Sequence, residues 1–96
     1  MNKIIINFIY NLKLKNYEVA KNYYKQLNEN GLNDDEIISL LKSKEVKATS
    51  LVISYYLHKF DLETLHDRLY KLFGSYKEAV IWLSDNDLII KNIILK

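Results

Sequence analysis

Residues 61–78 read DLETLHDRLYKLFGSYKE, and this stretch decides the fold. Leu62, Leu65, Leu69, Leu72 and Phe73 recur at three- and four-residue intervals, which puts them on one stripe of a helix. Asp61 stands where its carboxylate can accept the first free backbone N–H groups, and Gly74 supplies the left-handed stop. Ser75 and Glu78, three apart, then offer a second helix start as a capping box. A capped helix that ends on glycine and gives way at once to another start predicts helices joined by short turns.

The same grammar extends outward. Upstream, Asn33 and Glu36 form another capping box, opening a helix to about residue 43 with Ile37, Leu40 and Leu41 inward. Lys44–Ala48 is polar and reads as a connector, so Thr49 or Ser50 is expected to cap the next helix. That helix carries Ile53, Tyr56, Leu57 and Phe60. Asn16 is the expected cap of a helix over 17–29, with Ala20, Tyr24 and Leu27 on one face, Tyr17 and Tyr23 flanking it, and Asn30-Gly31 as its stop. Ile5, Phe8, Ile9 and Leu12 give the first segment a helical face, although its run of β-branched isoleucines leaves a short strand as the alternative. Downstream, Ala79, Val80 and Leu83 point inward beside Trp82. Ser84–Asp87 reads as a turn, and the tail 88–96 as a helix on Ile90, Ile93 and Ile94, or a strand. The expectation is one all-α domain over residues 1–96, a compact bundle of six or seven short helices.

Composition narrows the function. The chain has 96 residues, with no Cys, no Pro and two Gly. Disulfides, thiol nucleophiles and Cys-ligated metals are excluded, and so are glycine-rich phosphate loops. His58 and His66 are separated by the Asp61 helix break and match no metal-ligand spacing, so no metal or other cofactor is expected. The acids cluster at helix starts, where capping accounts for them, and the six serines match no nucleophile motif. No catalytic residue is assigned. The opening MNKIIINFIYNLKLK lacks a cleavage site, and no run approaches the roughly 18 apolar residues of a membrane span. A soluble, cytoplasmic protein is expected.

Two surfaces are candidates. Eight tyrosines are the compositional oddity, and tyrosine joins a large apolar ring to a polar tip that suits interfaces. Tyr23, Tyr24, Tyr55, Tyr56 and Trp82 are therefore the expected anchors for a protein partner. The leading expectation is a small non-enzymatic interaction protein that modulates its partner by steric occupation, in the manner of an antitoxin or a phage-type inhibitor of a host defence protein. The alternative is a nucleic-acid-binding transcriptional regulator with a helix-turn-helix near residues 34–60. Residues 1–30 hold five lysines against two glutamates, and the net charge is +2. Lys13, Lys15, Lys21, Lys25, Lys42, Lys44 and Lys47 would then touch phosphates. The isoleucine-rich ends, 4–9 and 88–95, leave a homodimer as a third expectation.

One stretch resembles a known family. Leu72-Phe73-Gly74-Ser75, Glu78-Ala79, Trp82-Leu83, Asn86 and Leu88 are spaced as in the toxin-binding domain of Xre/MbcA/ParS-type antitoxins. The resemblance departs at Asp85, where the family has Pro, and the family's Gly-x-x-Pro has no counterpart here. It implies a small intracellular regulator that binds a protein toxin, with DNA as a possible second partner.

Overall fold

The computed structural model describes residues 2–96 as six helices: α1 (Asn2–Lys13), α2 (Tyr17–Glu29), α3 (Asp34–Ser39), α4 (Lys44–Tyr56), α5 (Leu62–Phe73) and α6 (Tyr76–Ile94). Among the described residues there is no strand, so both terminal segments are helical. A strand in either place would need a partner edge, and the rest of the chain forms none. The radius of gyration, 12.4 Å, is that of a single folded globule of this length, about 12.5 Å.

The starts and stops follow local chemistry. Both halves of the Asn33–Glu36 capping box form, with Glu36 N–H donating to Asn33 Oδ1 at 2.9 Å and Asn33 N–H to Glu36 Oε1 at 3.1 Å. Asp61 caps α5 by accepting from Thr64 N–H at 2.8 Å, and Ser75 caps α6 by accepting from Glu78 N–H at 3.3 Å. Gly74 ends α5 at φ +71°, and Gly31 follows α2 at φ +93°. Asn16 precedes α2 as expected but does not cap it with its side chain, whose Nδ2 donates instead to Asn11 Oδ1 at 3.2 Å.

Helix α4 is the axis of the core. It packs against α1, α3, α5 and α6, while α2 lies against α1 and α6. Val46 and every residue from Ala48 to Ser54 are buried. Phe8 and Tyr24 meet at 6.0 Å to join α1 to α2, and Ile37, Leu65, Leu69, Ile90 and Ile94 close the core from the other helices. Arg68 ties α5 to α3 through Asp35 at 3.1 Å and lies 4.8 Å from the Phe60 ring centroid.

Four sequence boundaries are corrected. Lys44–Ala48 is no connector but the first turn and a half of α4, capped by Ser43 accepting from Val46 N–H at 3.4 Å. Lys, Glu and Ala are good helix formers, and Ser43 supplies the start that was assigned to Thr49 or Ser50. Thr49 and Ser50 lie inside the helix and are buried. Helix α3 stops at Ser39, where Leu40 and Leu41 close three-residue turns on Ile37 and Ile38. Helix α4 ends at Tyr56, leaving Phe60 in the connection to α5. Ser84–Asp87 is likewise no turn: α6 runs unbroken through it. Asn86 Nδ2 donates to the Trp82 carbonyl at 2.8 Å and Asp87 accepts from Tyr56, so turn-forming side chains are satisfied within a helix.

Candidate functional site: the groove between α5 and α6

The five aromatic residues singled out from the sequence are held by different neighbours. Tyr24 is fully enclosed at 0% exposure, and its hydroxyl lies 2.7 Å from Ser54 Oγ, so it belongs to the core and cannot anchor a partner. Tyr23 is half-buried against the core. Tyr55 and Tyr56 form an edge-to-face pair at 5.0 Å, and Tyr56 O–H donates to Asp87 Oδ1. Burial and that carboxylate raise the Tyr56 phenol well above its ordinary range. Trp82 is half-buried with its ring 6.0 Å from Phe73, and its buried Nε1–H has no protein partner.

The seven lysines divide. Lys13 lines two adjoining hollows, one with Lys15, Tyr17 and Ser43 and the other with Lys42 and Leu40, so Lys13, Lys15 and Lys42 share one end of the bundle. Lys44 is exposed at the start of α4, and Lys47 lies in a hollow with Asp35 and Arg68. Lys21 reaches the Ile94 carbonyl at 3.4 Å, and Lys25 is exposed on α2. The helix expected to read DNA is α4, which buries Ala48 through Ser54 and so offers no face along that length to a major groove.

A partly enclosed apolar feature lies elsewhere. A groove of about 260 Å³ runs between α5 and α6, lined by Leu69, Ala79, Val80 and Leu83 with His66, Tyr76 and Ser84. Through His66 and Tyr76 it continues into a shallower, wetter half bounded by Asp61, Glu63, Asp67 and Tyr70. Tyr76 is 69% exposed and Tyr70 47%, and Val80, read as inward, is 43% exposed. Leu62, the first residue of α5, is exposed as well.

The local fold explains this arrangement. Leu65 and Leu69 turn the stripe of α5 into the core, which leaves His66 and Tyr70 on its flank. Ala79, the small buried residue of the first turns of α6, lets the two helices approach there while Tyr76 and Val80 stand at the rim. Hydrogen bonds from Thr64 hold the Asp61 carboxyl below the usual carboxylate range, so it stays ionised through mildly acidic pH. Asp67 faces Lys71 at 3.1 Å in a solvent-exposed pair.

Chemically the groove is suited to docking. Among the described residues no three His, Asp or Glu side chains gather closely enough to hold a metal ion, although four of them share this wall. The enclosed half is smaller than the roughly 300–1,000 Å³ typical of small-molecule sites, and it opens along its length. Exposed tyrosines over an apolar floor are the residues that dominate protein interfaces. Sequence reading passed over Tyr70 and Tyr76. The available signal was that Tyr70 falls off the leucine stripe; Tyr76 carried none, because Tyr17 also opens a helix and is buried. Compared with protein-family models, with curated proteins and with solved structures, the chain finds no match.

Proposed function

We propose that the protein acts by binding another protein and occupying part of its surface, with no chemistry of its own. The observation that carries this reading is the groove between α5 and α6, where Tyr70, Tyr76 and Val80 stay exposed around an apolar floor. Such residues supply contact area at small cost in side-chain entropy. The segment resembling the toxin-binding domain of antitoxins, Leu72 to Leu88, supplies Ala79 and Leu83 to that floor. This favours an antitoxin-like or inhibitor role in the cytoplasm. No described helix is long and apolar enough to cross a membrane.

The test is a tagged pull-down from host lysate, with and without nuclease, using the wild-type chain and Tyr76→Ala. A stoichiometric protein that survives nuclease and is lost with Tyr76→Ala supports the reading. Recovery that disappears with nuclease overturns it in favour of nucleic acid.

A further inference from the structure

We infer that the segment this groove receives is a short amphipathic helix whose apolar side lies between α5 and α6 and whose lysines or arginines face Asp61, Glu63 and Asp67. The inference rests on the docking function proposed above and names the chemistry of the partner. Charge asymmetry carries it. The chain holds 14 Lys and Arg and has net charge +2, yet neither half of the groove is lined by a lysine or arginine. The carboxylates of Asp61, Glu63 and Asp67 belong to exposed residues that bound its outer half. Among the described residues Lys71 is the one cation paired with any of them, and an exposed pair of that kind is weak enough to be exchanged for a partner's cation.

Shape supplies the rest. Along α6 the lining runs from Tyr76 to Ser84, roughly 12 Å of helix and so about two turns. A guest helix of that length presents apolar anchors at i and i+3 or i+4, which is the spacing a single groove can take. Its basic residues would meet the acidic wall while Tyr70 and Tyr76 cover the apolar contact from the rim. An acidic or uniformly apolar segment would leave Asp61 and Glu63 facing like charge or losing water without compensation.

The experiment uses the whole chain and two fluorescein-labelled helical peptides of about 14 residues, one built from Leu, Ala and Lys and the other with Glu in place of each Lys. Fluorescence anisotropy is read at about 0.01 M and 0.15 M ionic strength. The Lys peptide is expected to bind at least about tenfold tighter than the Glu peptide, with the gap narrowing as salt rises. The triple variant Asp61→Asn, Glu63→Gln, Asp67→Asn should erase the preference, and asparagine at 61 preserves the helix cap. A charge-matched control, Glu18→Gln, Glu29→Gln, Asp85→Asn, should keep it. Tyr76→Ala should weaken the Lys peptide in every background, and thermal melts verify that each variant is folded.

Equal binding of both peptides, with Tyr76→Ala still weakening both, overturns the charge inference and leaves the docking function standing. Equal loss in the triple variant and its control also overturns it, because net charge alone would then be acting. Binding of neither peptide, or binding indifferent to Tyr76→Ala, removes the groove as a docking site altogether.

Discussion

Tyr24 shows how a single side chain can change its meaning between sequence and fold. Ser54 O–H donates to the Ser50 carbonyl at 2.9 Å, and because a carbonyl only accepts, the Tyr24 hydroxyl donates to Ser54 Oγ at 2.7 Å. Tyr24→Phe keeps the ring and loses one buried hydrogen bond, so a loss of about 1 kcal/mol is expected in urea denaturation. Tyr24→Ala leaves a cavity, and about 3–5 kcal/mol is expected from the same measurement. Ser50 is the counterpart: its hydroxyl is buried with no protein partner, so Ser50→Ala should leave stability unchanged or raise it. Tyr56 adds a pH dependence. Its folded-state phenol lies above the unfolded value of about 10, so the stability it contributes is complete below about pH 10 and is lost as pH rises through the folded value. The urea midpoint should therefore fall less steeply above about pH 10 in Tyr56→Phe than in the wild type. Sequence could place these tyrosines on helix faces. It could not say that Ser54 would wait opposite Tyr24, thirty residues away in the chain.

At the scale of the element, most helix ends were legible in local caps and stops. Asn33, Asp61, Gly31 and Gly74 act as their neighbours predict, and Ser75 caps α6 with the first half of its expected box, because a cap needs a few consecutive residues and nothing from the rest of the fold. Gly74→Ala forces a Cβ into the left-handed region although space around it is open, and a loss of about 1–2 kcal/mol is expected from backbone strain alone. At α4 the local signal was present in Ser43, whereas at Ser84–Asp87 packing overrides it. Ser43 is the true cap of α4, so Ser43→Ala should cost about 1 kcal/mol, whereas Ser50→Ala, at a position once expected to cap, should cost nothing. Ser84–Asp87 favours a turn in isolation. Packing Ile90 and Ile94 into the core and pairing Asp87 with Tyr56 make the unbroken helix the better solution.

For the whole molecule, the core encloses Tyr24, the groove exposes Tyr70 and Tyr76, and Tyr10 stands exposed on α1 apart from both. Tyr76→Ala removes a ring that is 69% exposed, so the melting temperature should stay nearly unchanged while partner binding is lost. A fall of several degrees would instead mark Tyr76 as part of the core. What the sequence determined by itself was the all-helical class, most helix ends and the absence of cysteine chemistry. These depend on residues at short spacing and on composition. Tertiary structure alone decided that α4 is the central helix, that Tyr24 is core and that Tyr70 and Tyr76 frame an open groove. It also decided that Lys13, Lys15 and Lys42 share one end. The reason is physical: periodicity says which side of a helix is apolar, but burial is settled by which helices cover that side, and that depends on contacts between residues far apart in the chain.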